Sequence, residues 1–263
     1  MLFKMVVKDF KRKKIITSAL FIFIALPAFL IAGGAGMIIA LSGSVNYFLS
    51  KAEVPHFVQM HSGSIDRDEI EMWSSQNKLV SRHQIVEMVT IDSSDVFLSG
   101  SGESEAESVM DLGFVKQNRT FDLLLDPDNN PVTVSRGNIA VPVYHKLKRN
   151  MKTGDTVRIA HKSFIKEYKV SGFIRDAQMN PSIIHSKRFV VHEDDFENLK
   201  KSIGEAEYLI EFQLSDISRI GDFSSAYEAS GLPGSGPSID YNLFRVINVL
   251  TDSIAAVIVI FVS

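Results

Sequence analysis

The sequence predicts an α+β fold in which an external domain of two lobes lies between two membrane-spanning helices. Three observations carry this expectation. Residues Ile15 to Ser50 run for thirty-six positions without a charged side chain, directly after a basic cluster of Lys4, Lys8, Lys11, Arg12, Lys13 and Lys14 against one Asp9. Alternating apolar runs and helical spacings then succeed one another between Phe57 and Gly231. The last ten residues, Ile254–Ser263 (IAAVIVIFVS), are almost wholly apolar.

A spanning helix needs roughly 20 apolar residues at ~1.5 Å each, and Ile15–Leu41 exceeds that. It is also longer than the ~7–15-residue core of a cleavable secretory signal. The positive-inside bias places residues 1–14 in the cytoplasm and the chain beyond Ser50 outside. Ala28, Ala32, Gly36, Ala40 and Ser44 recur every four residues, so they share one helical face on which a neighbouring membrane helix could approach closely. Pro27 removes a backbone hydrogen bond and predicts a kink. A helix over residues 15–50 would reach about 54 Å against a ~30 Å hydrocarbon core. Ser42 to Lys51 should therefore emerge as a stalk carrying Tyr47 and Phe48. Ile254–Ser263 is too short to span alone. Residues 241–263 read as the start of a second span, the alternative being a short buried C-terminal helix or strand.

The chain carries a net charge of −3, and its first fourteen residues carry +5, leaving −8 for the rest. That balance disfavours nucleic acid and anionic lipid as external partners. Cysteine is absent, so apolar cores must hold the external domain without disulfides. The Asn118-Arg119-Thr120 sequon is short enough to arise by chance.

Within residues 51–240, Phe57–His61 alternates as a strand closed by Ser62-Gly63. Ser64 stands as N-cap of a helix running to Gln76 or Asn77, with acids in its first turn. Strands follow at Ile85–Ile91 and Asp95–Ser99, and Gly100–Glu107 marks a mobile connection. Phe121–Leu125 reads as a strand, and Pro127–Pro131 as a turn. Asn138–Val143 is a strand and Val143–Asn150 a helix. Lys152–Asp155 turns into a strand at Thr156–Ala160, followed by strands at Glu167–Ile174 and Phe189–Val191. His192–Ile203 is an acid-capped helix ending at Gly204. Glu207–Leu214 is a strand, Ser215 or Asp216 caps a helix to Ala229 closed by Gly231, and Leu232–Ser238 is a linker. Residues 57–99 and 205–231 thus form a split β-α-β lobe next to the membrane, with residues 110–204 inserted as a distal β-rich lobe.

Val141-Pro142, then Met151-Lys152-Thr153-Gly154-Asp155-Thr156-Val157-Arg158-Ile159, then Glu167-Tyr168-Lys169-Val170-Ser171-Gly172-Phe173 resemble the extracytoplasmic core domain of FtsX/MacB-type ABC transporter permeases. In physical terms Gly154-Asp155 supplies a tight turn, and Gly172 marks a bulge or a close backbone approach. The motifs cover Ala140–Asp176, while the topology covers the whole chain. The resemblance implies further transmembrane helices or a second permease copy, an FtsX-like membrane domain, and ATP bound by a separate ATPase subunit. It also implies amphipathic peptides, antibiotics or lipoproteins as cargo.

Motifs for bond chemistry are missing from the sequence. No G-x-x-x-x-G-K-S/T phosphate loop, nucleophile elbow, HExxH or EF-hand loop occurs, so no cofactor, metal or catalytic residue is expected in this chain. His56 and His61 point to opposite faces of a strand region. His192-Glu193-Asp194-Asp195 opens a helix, Asp126–Asn130 is a solvated turn, and Phe196 and Leu199 are core. The function expected is the permease subunit of an ABC transporter at the cell membrane. A membrane-anchored sensor or ligand-binding protein is the alternative, and an envelope hydrolase is weaker for want of catalytic residues. Further apolar spans after Ser263 would favour the permease, and a kinase, cyclase or coiled coil would favour the sensor.

Overall fold

The structure, a computed structural model, describes residues 14–98, 111–179, 186–203, 206–247 and 249. The basic tail before Lys14, the Gly100–Glu107 connection, Gly204 and Ile254–Ser263 therefore lie outside the described residues. The chain divides into two units, one ending at Ser44 and the other beginning at Val45. Among the described residues, helix α1 (Lys14–Lys51) is the one helix long and apolar enough to cross a membrane. Many of its large apolar side chains between Ile15 and Ile39, Phe21, Phe23, Phe29 and Ile31 among them, are exposed, and Pro27 lies inside it.

The unit beginning at Val45 is built on one mixed sheet. Strand β1 is Phe57–Ser62, followed by helix α2 (Arg67–Gln76), β2 (Val80–Ile91), β3 (Val96–Leu98), β4 (Asp111–Val115) and β5 (Asn138–Pro142). Helix α3 (Val143–Arg149), β6 (Thr156–His161), β7 (Phe164–Ile174), β8 (Ser186–Val191) and α4 (Glu193–Ile203) come next. Then β9 (Glu207–Leu214), α5 (Ile220–Ser230) and β10 (Ser238–Asp240) complete it, and residues 241–247 are helical. The ten strands lie in the order β10-β1-β9-β2-β4-β8-β5-β7-β6-β3. Only β4–β8 and β5–β7 are parallel among the recorded pairings.

Strand β2 explains why the two expected lobes appear as two halves of a single sheet. Its Val80–Met88 stretch pairs with β9, and its Val89–Ile91 end pairs with β4. At ~3.3 Å per residue this twelve-residue strand runs for about 40 Å through both halves. One continuous ladder crosses the boundary that composition suggested, and contact density divides the chain at Ser44 instead.

Three apolar clusters lie against the sheet. Helices α2 and α5 cover the β1/β9 half, where Trp73 stands edge-on to Phe212, Phe223 and Tyr227 at centroid distances of 6.0, 5.7 and 5.6 Å. Helices α3 and α4 lie on one face of the other half, where Phe196 of α4 joins Phe114, Tyr168 and Phe189 of the sheet. The opposite face buries Val86, Leu124, Ala140, Ile174, Val190 and Leu209 under the segments around 115–134 and 174–179.

Several boundaries differ from expectation for local reasons. The α2 cap is Asp66 rather than Ser64, because the Asp66 carboxylate accepts the Glu69 N–H at 3.0 Å. Phe121–Leu125 is no strand: the Asp122 and Leu123 N–H groups donate to Glu53 O and Ala52 O at 2.9 and 2.7 Å, not to a ladder. Asp122 also sits at φ +53°, which breaks extended geometry. Strands β4 and β10 fall where no strand was expected, β10 inside and just beyond the supposed linker.

Candidate functional site: the ionic joint at the base of the apolar helix

The residues singled out in the sequence fall in separate places. Ala28, Ala32, Gly36, Ala40 and Ser44 lie along the exposed face of α1, and a Cβ at Gly36 would meet nothing within 4 Å. Gly154 takes φ +93° in the turn before β6, and its N–H donates to Val170 O at 2.8 Å. Asp155 closes the same turn by accepting the Lys152 N–H at 2.8 Å. Gly172 sits at a β-bulge, since Ile139 pairs with Val170 but Ala140 pairs with Gly172. The extra residue inverts the facing of β7. Phe173 stays with Tyr168 and Val170 in one core, while Ile174 turns into the other. Asp176, two residues on, follows Ile174 to that second face.

There it meets a side chain that periodicity alone did not single out. Arg188 on β8 is fully buried and is gripped by two carboxylates. Its Nε and Nη2 donate to Asp176 at 2.6 and 2.7 Å, and its Nη1 and Nη2 donate to Asp122 at 2.6 and 3.2 Å. Asp176 Oδ1 also accepts the backbone N–H groups of Gln178 and Met179 at 2.8 and 3.1 Å. Asn118 Nδ2 donates to Asp122 Oδ2 at 3.0 Å. Next to them lies Glu211 of β9, also fully buried, accepting from Gln84 and Gln178 amides at 2.7 Å each.

Two carboxylates thus share one guanidinium away from water, with the Glu211 carboxyl group beside them. Burial pushes Asp176 up, but the Arg188 charge, its hydrogen bonds and the two backbone N–H donors together hold it below the usual carboxylate range. For Arg188 burial opposes the charge, and the Asp122 and Asp176 carboxylates outweigh it, raising its pKa further. Glu211 has the opposite fate. Burial, reinforced by the Asp122 charge, drives its carboxyl well above the usual range and favours the neutral acid.

The same segments hold the base of α1. The Asp122 and Leu123 N–H groups donate to Glu53 O and Ala52 O just past the end of α1, where Glu53 lies in the left-handed region at φ +46°. Gln213, two residues beyond Glu211, donates to Glu53 O and Val54 O at 3.0 and 3.1 Å. The Arg82 guanidinium joins Gln213 Oε1 at 2.9 Å and Glu53 Oε2 at 2.6 Å. Arg175 lies over the Phe48 ring at 4.2 Å. Val45, Phe48, Leu49, Ala52 and Val54 pack with Leu125, Ala177 and Tyr241. From the other end of the domain, Tyr241 N donates to His56 O at 2.8 Å and Arg245 Nε to Asn46 Oδ1 at 3.2 Å. The arrangement ties Val45–Val54 and residues 241–245 to each other and to the sheet.

Two shallow clefts lie beside this joint. One, of about 520 Å³, is lined by Gln84, Lys116, Arg119, Val134 and His192, and the other by Arg67, Glu87 and Lys200. Their charges are compensated locally, with Lys116 3.5 Å from Glu197 and Lys200 2.8 Å from Glu87. Among the described residues no cluster of three His, Asp or Glu side chains could hold a metal. The chain matches no model of a known protein family and no curated protein.

The signal for this joint was present in the sequence as two charges inside apolar strands, Arg188 before Phe189-Val190-Val191 and Glu211 between Ile210 and Phe212. A charge in such a place must be paired or neutral. Their partners sit in loops and carry no local pattern.

Arg188→Ala is expected to destabilise the domain by about 3–5 kcal/mol, because it strands buried carboxylates. Chemical denaturation of the purified protein reads this directly. Glu211 stabilises fully below its ordinary 4.5, and that contribution is lost as pH rises through its elevated folded value. Asp176 stabilises above its ordinary 3.8 and loses this on acidification. The contribution of Glu211 should therefore fall as pH rises from 5 to 8, against the opposite drift of the buried His145 and the half-buried His56, whose lowered values favour the neutral rings. Glu211→Gln should flatten that slope and raise stability at pH 8, as denaturation midpoints at the two pH values would show.

Proposed function

We propose that this chain belongs to the membrane subunit of an ABC transporter of the FtsX/MacB type, with its folded domain outside the membrane. The observation that supports it most is the convergence of both connections of the domain on one ionic joint. Val45–Lys51 and residues 241–247 meet there, tied by the Asn46–Arg245 hydrogen bond, directly over the segment that carries Asp122. A displacement of either helix is delivered to the sheet through Asp122, Asp176 and Arg188. In this reading ATP is bound and hydrolysed by a partner subunit, α1 and a second span act as levers, and the two halves of the sheet shift about β2. The face carrying Ala28, Ala32, Gly36, Ala40 and Ser44 packs against further membrane helices or a second permease copy. Amphipathic peptides, antibiotics or lipoproteins are the cargo class.

An anchored sensor that reads a ligand outside the membrane is the second reading, and the cleft of about 520 Å³ beside β2 favours it. The absence of cysteine makes one experiment decisive between topologies and partners. Ser75→Cys should react with a membrane-impermeant maleimide on intact cells, whereas Met5→Cys should react only after lysis. Gentle solubilisation of the same membranes should bring down a nucleotide-binding ATPase with the full-length protein. Labelling of Met5→Cys alone on intact cells would contradict the orientation. Correct labelling with a signalling protein recovered in place of an ATPase would favour the sensor.

A further inference from the structure

The net charge of the region after the basic tail conceals one strongly basic element. Between Val143 and Lys152 the sequence places Lys146, Lys148, Arg149 and Lys152 with no acid. Residues 146–150 are all exposed, and Leu147 at 78% exposed is among the most exposed apolar side chains of the domain. Helix α3 holds these residues outward by its opposite side. His145 is buried with its ring 5.3 Å from Phe189, and burial pushes its pKa down to about 3, with the charges of Lys148, Lys187 and Arg149 adding to the effect. The neutral ring is a packing anchor and leaves the basic half of the helix to face solvent.

The position of α3 is as informative as its composition. Strand β5 ends at Pro142 opposite Ile174, so α3 starts at the end of β7 where α1 joins the sheet. Lys146 Nζ lies 4.9 Å from the Phe173 ring, and Arg175, two residues further, covers Phe48 of α1. Phe48 follows Leu41, the last residue of the strongly apolar stretch, by seven residues. At ~1.5 Å per helical residue, no more than about 10 Å of chain separates them. The headgroup layer extends roughly 5–8 Å beyond the hydrocarbon, and its charge is felt over a further ~8 Å at physiological salt. Tyr47, Leu243 and Val246 add exposed apolar and aromatic side chains at the same joint, the composition of a membrane interface.

We infer that α3 is a second membrane contact, in which Lys146 and Lys148 meet the phosphate groups of anionic lipids and Leu147 enters the interface between them. This rests on the reading that α1 spans a bilayer. It also revises the expectation, drawn from net charge alone, that anionic lipid is disfavoured outside: the acidic residues lie elsewhere and α3 presents none. A basic helix with one apolar insertion binds a surface through both terms, so its contact depends on lipid charge.

The test uses the full chain with Leu147→Cys carrying an environment-sensitive fluorophore, and Ile165→Cys as comparison. Ile165 is exposed near the start of β7, nine residues or about 30 Å along the strand from Ile174. Both proteins are reconstituted into phosphatidylcholine vesicles with or without 30% phosphatidylglycerol, and quenching by doxyl-labelled lipid is read. The expected result is at least threefold stronger quenching at position 147 than at 165 in the anionic vesicles. The Lys146→Glu/Lys148→Glu variant, altered only at exposed positions, should reduce it to the level of 165. Protein that floats with the vesicles while its position-147 probe stays as aqueous as that at 165 overturns this inference and leaves the membrane span standing. Equal quenching without phosphatidylglycerol overturns the ionic contact. Failure to float with either vesicle overturns the membrane reading and this inference together.

Discussion

The bidentate grip of Asp122 and Asp176 on Arg188 is the constraint on which the architecture depends. Four segments remote in sequence supply this cluster: the stretch after β4, the stretch after β7, β8 itself, and β9 through Glu211. None of the ionised partners could be tolerated alone in such a place, since an unpaired buried charge costs several kcal/mol. Together they specify one register. Sliding β8 by a single residue would turn Arg188 into the core of Phe189 and Phe114 and send Lys187 to the carboxylates. An ionic core of this kind contributes less to net stability than apolar packing would, and its main effect here is to fix which segments meet.

What those segments hold is the end of α1. Asp122 uses its side chain for Arg188 and its backbone N–H for Glu53 O, so one residue bonds both the cluster and the helix terminus. Gln213, one side-chain position beyond Glu211 on the same face of β9, adds bonds to Glu53 O and Val54 O just past the end of α1. The aromatic cluster under α2 and α5 then stiffens β1 and β9 from the other face. Bonds made at the helix end are therefore continuous with the ladder of the sheet, with no flexible linker between them. A lever needs that continuity, and the proposed role in transmitting motion draws its physical content from it.

Much of the fold was legible because periodicity reports burial. β1, β9, α4 and α5 all follow two- or 3.6-residue patterns, and Gly231 closes α5 in the left-handed region as expected of a helix C-terminus. β4 was hidden by its own glycine. Gly113 looks like a breaker, yet a Cβ there would overlap the Met88 thioether on the paired strand, so the glycine permits the close approach. Phe121–Leu125 misled in the other direction: its apolar side chains are buried, but its N–H groups serve the end of α1. The polar start of β2 was missed because Ser81 and Arg82 are exposed and polar, and Arg82 and Gln84 direct their side chains to Gln213 and Glu211 of the paired strand. Buried charges carry no periodic signature, which is why the joint had to be seen in three dimensions.

Hydrogen–deuterium exchange on the intact protein reads whether the end of α1 and the sheet open as one body. If the cluster joins helix end and sheet into one body, the amides of Asp122, Leu123 and the last turns of α1 should open with the same free energy as Leu209–Gln213 of β9. Exchange of residues 45–54 at a markedly lower opening energy, while β9 stays protected, would show that the helix base moves independently of the sheet and that the Arg188 cluster does not couple them.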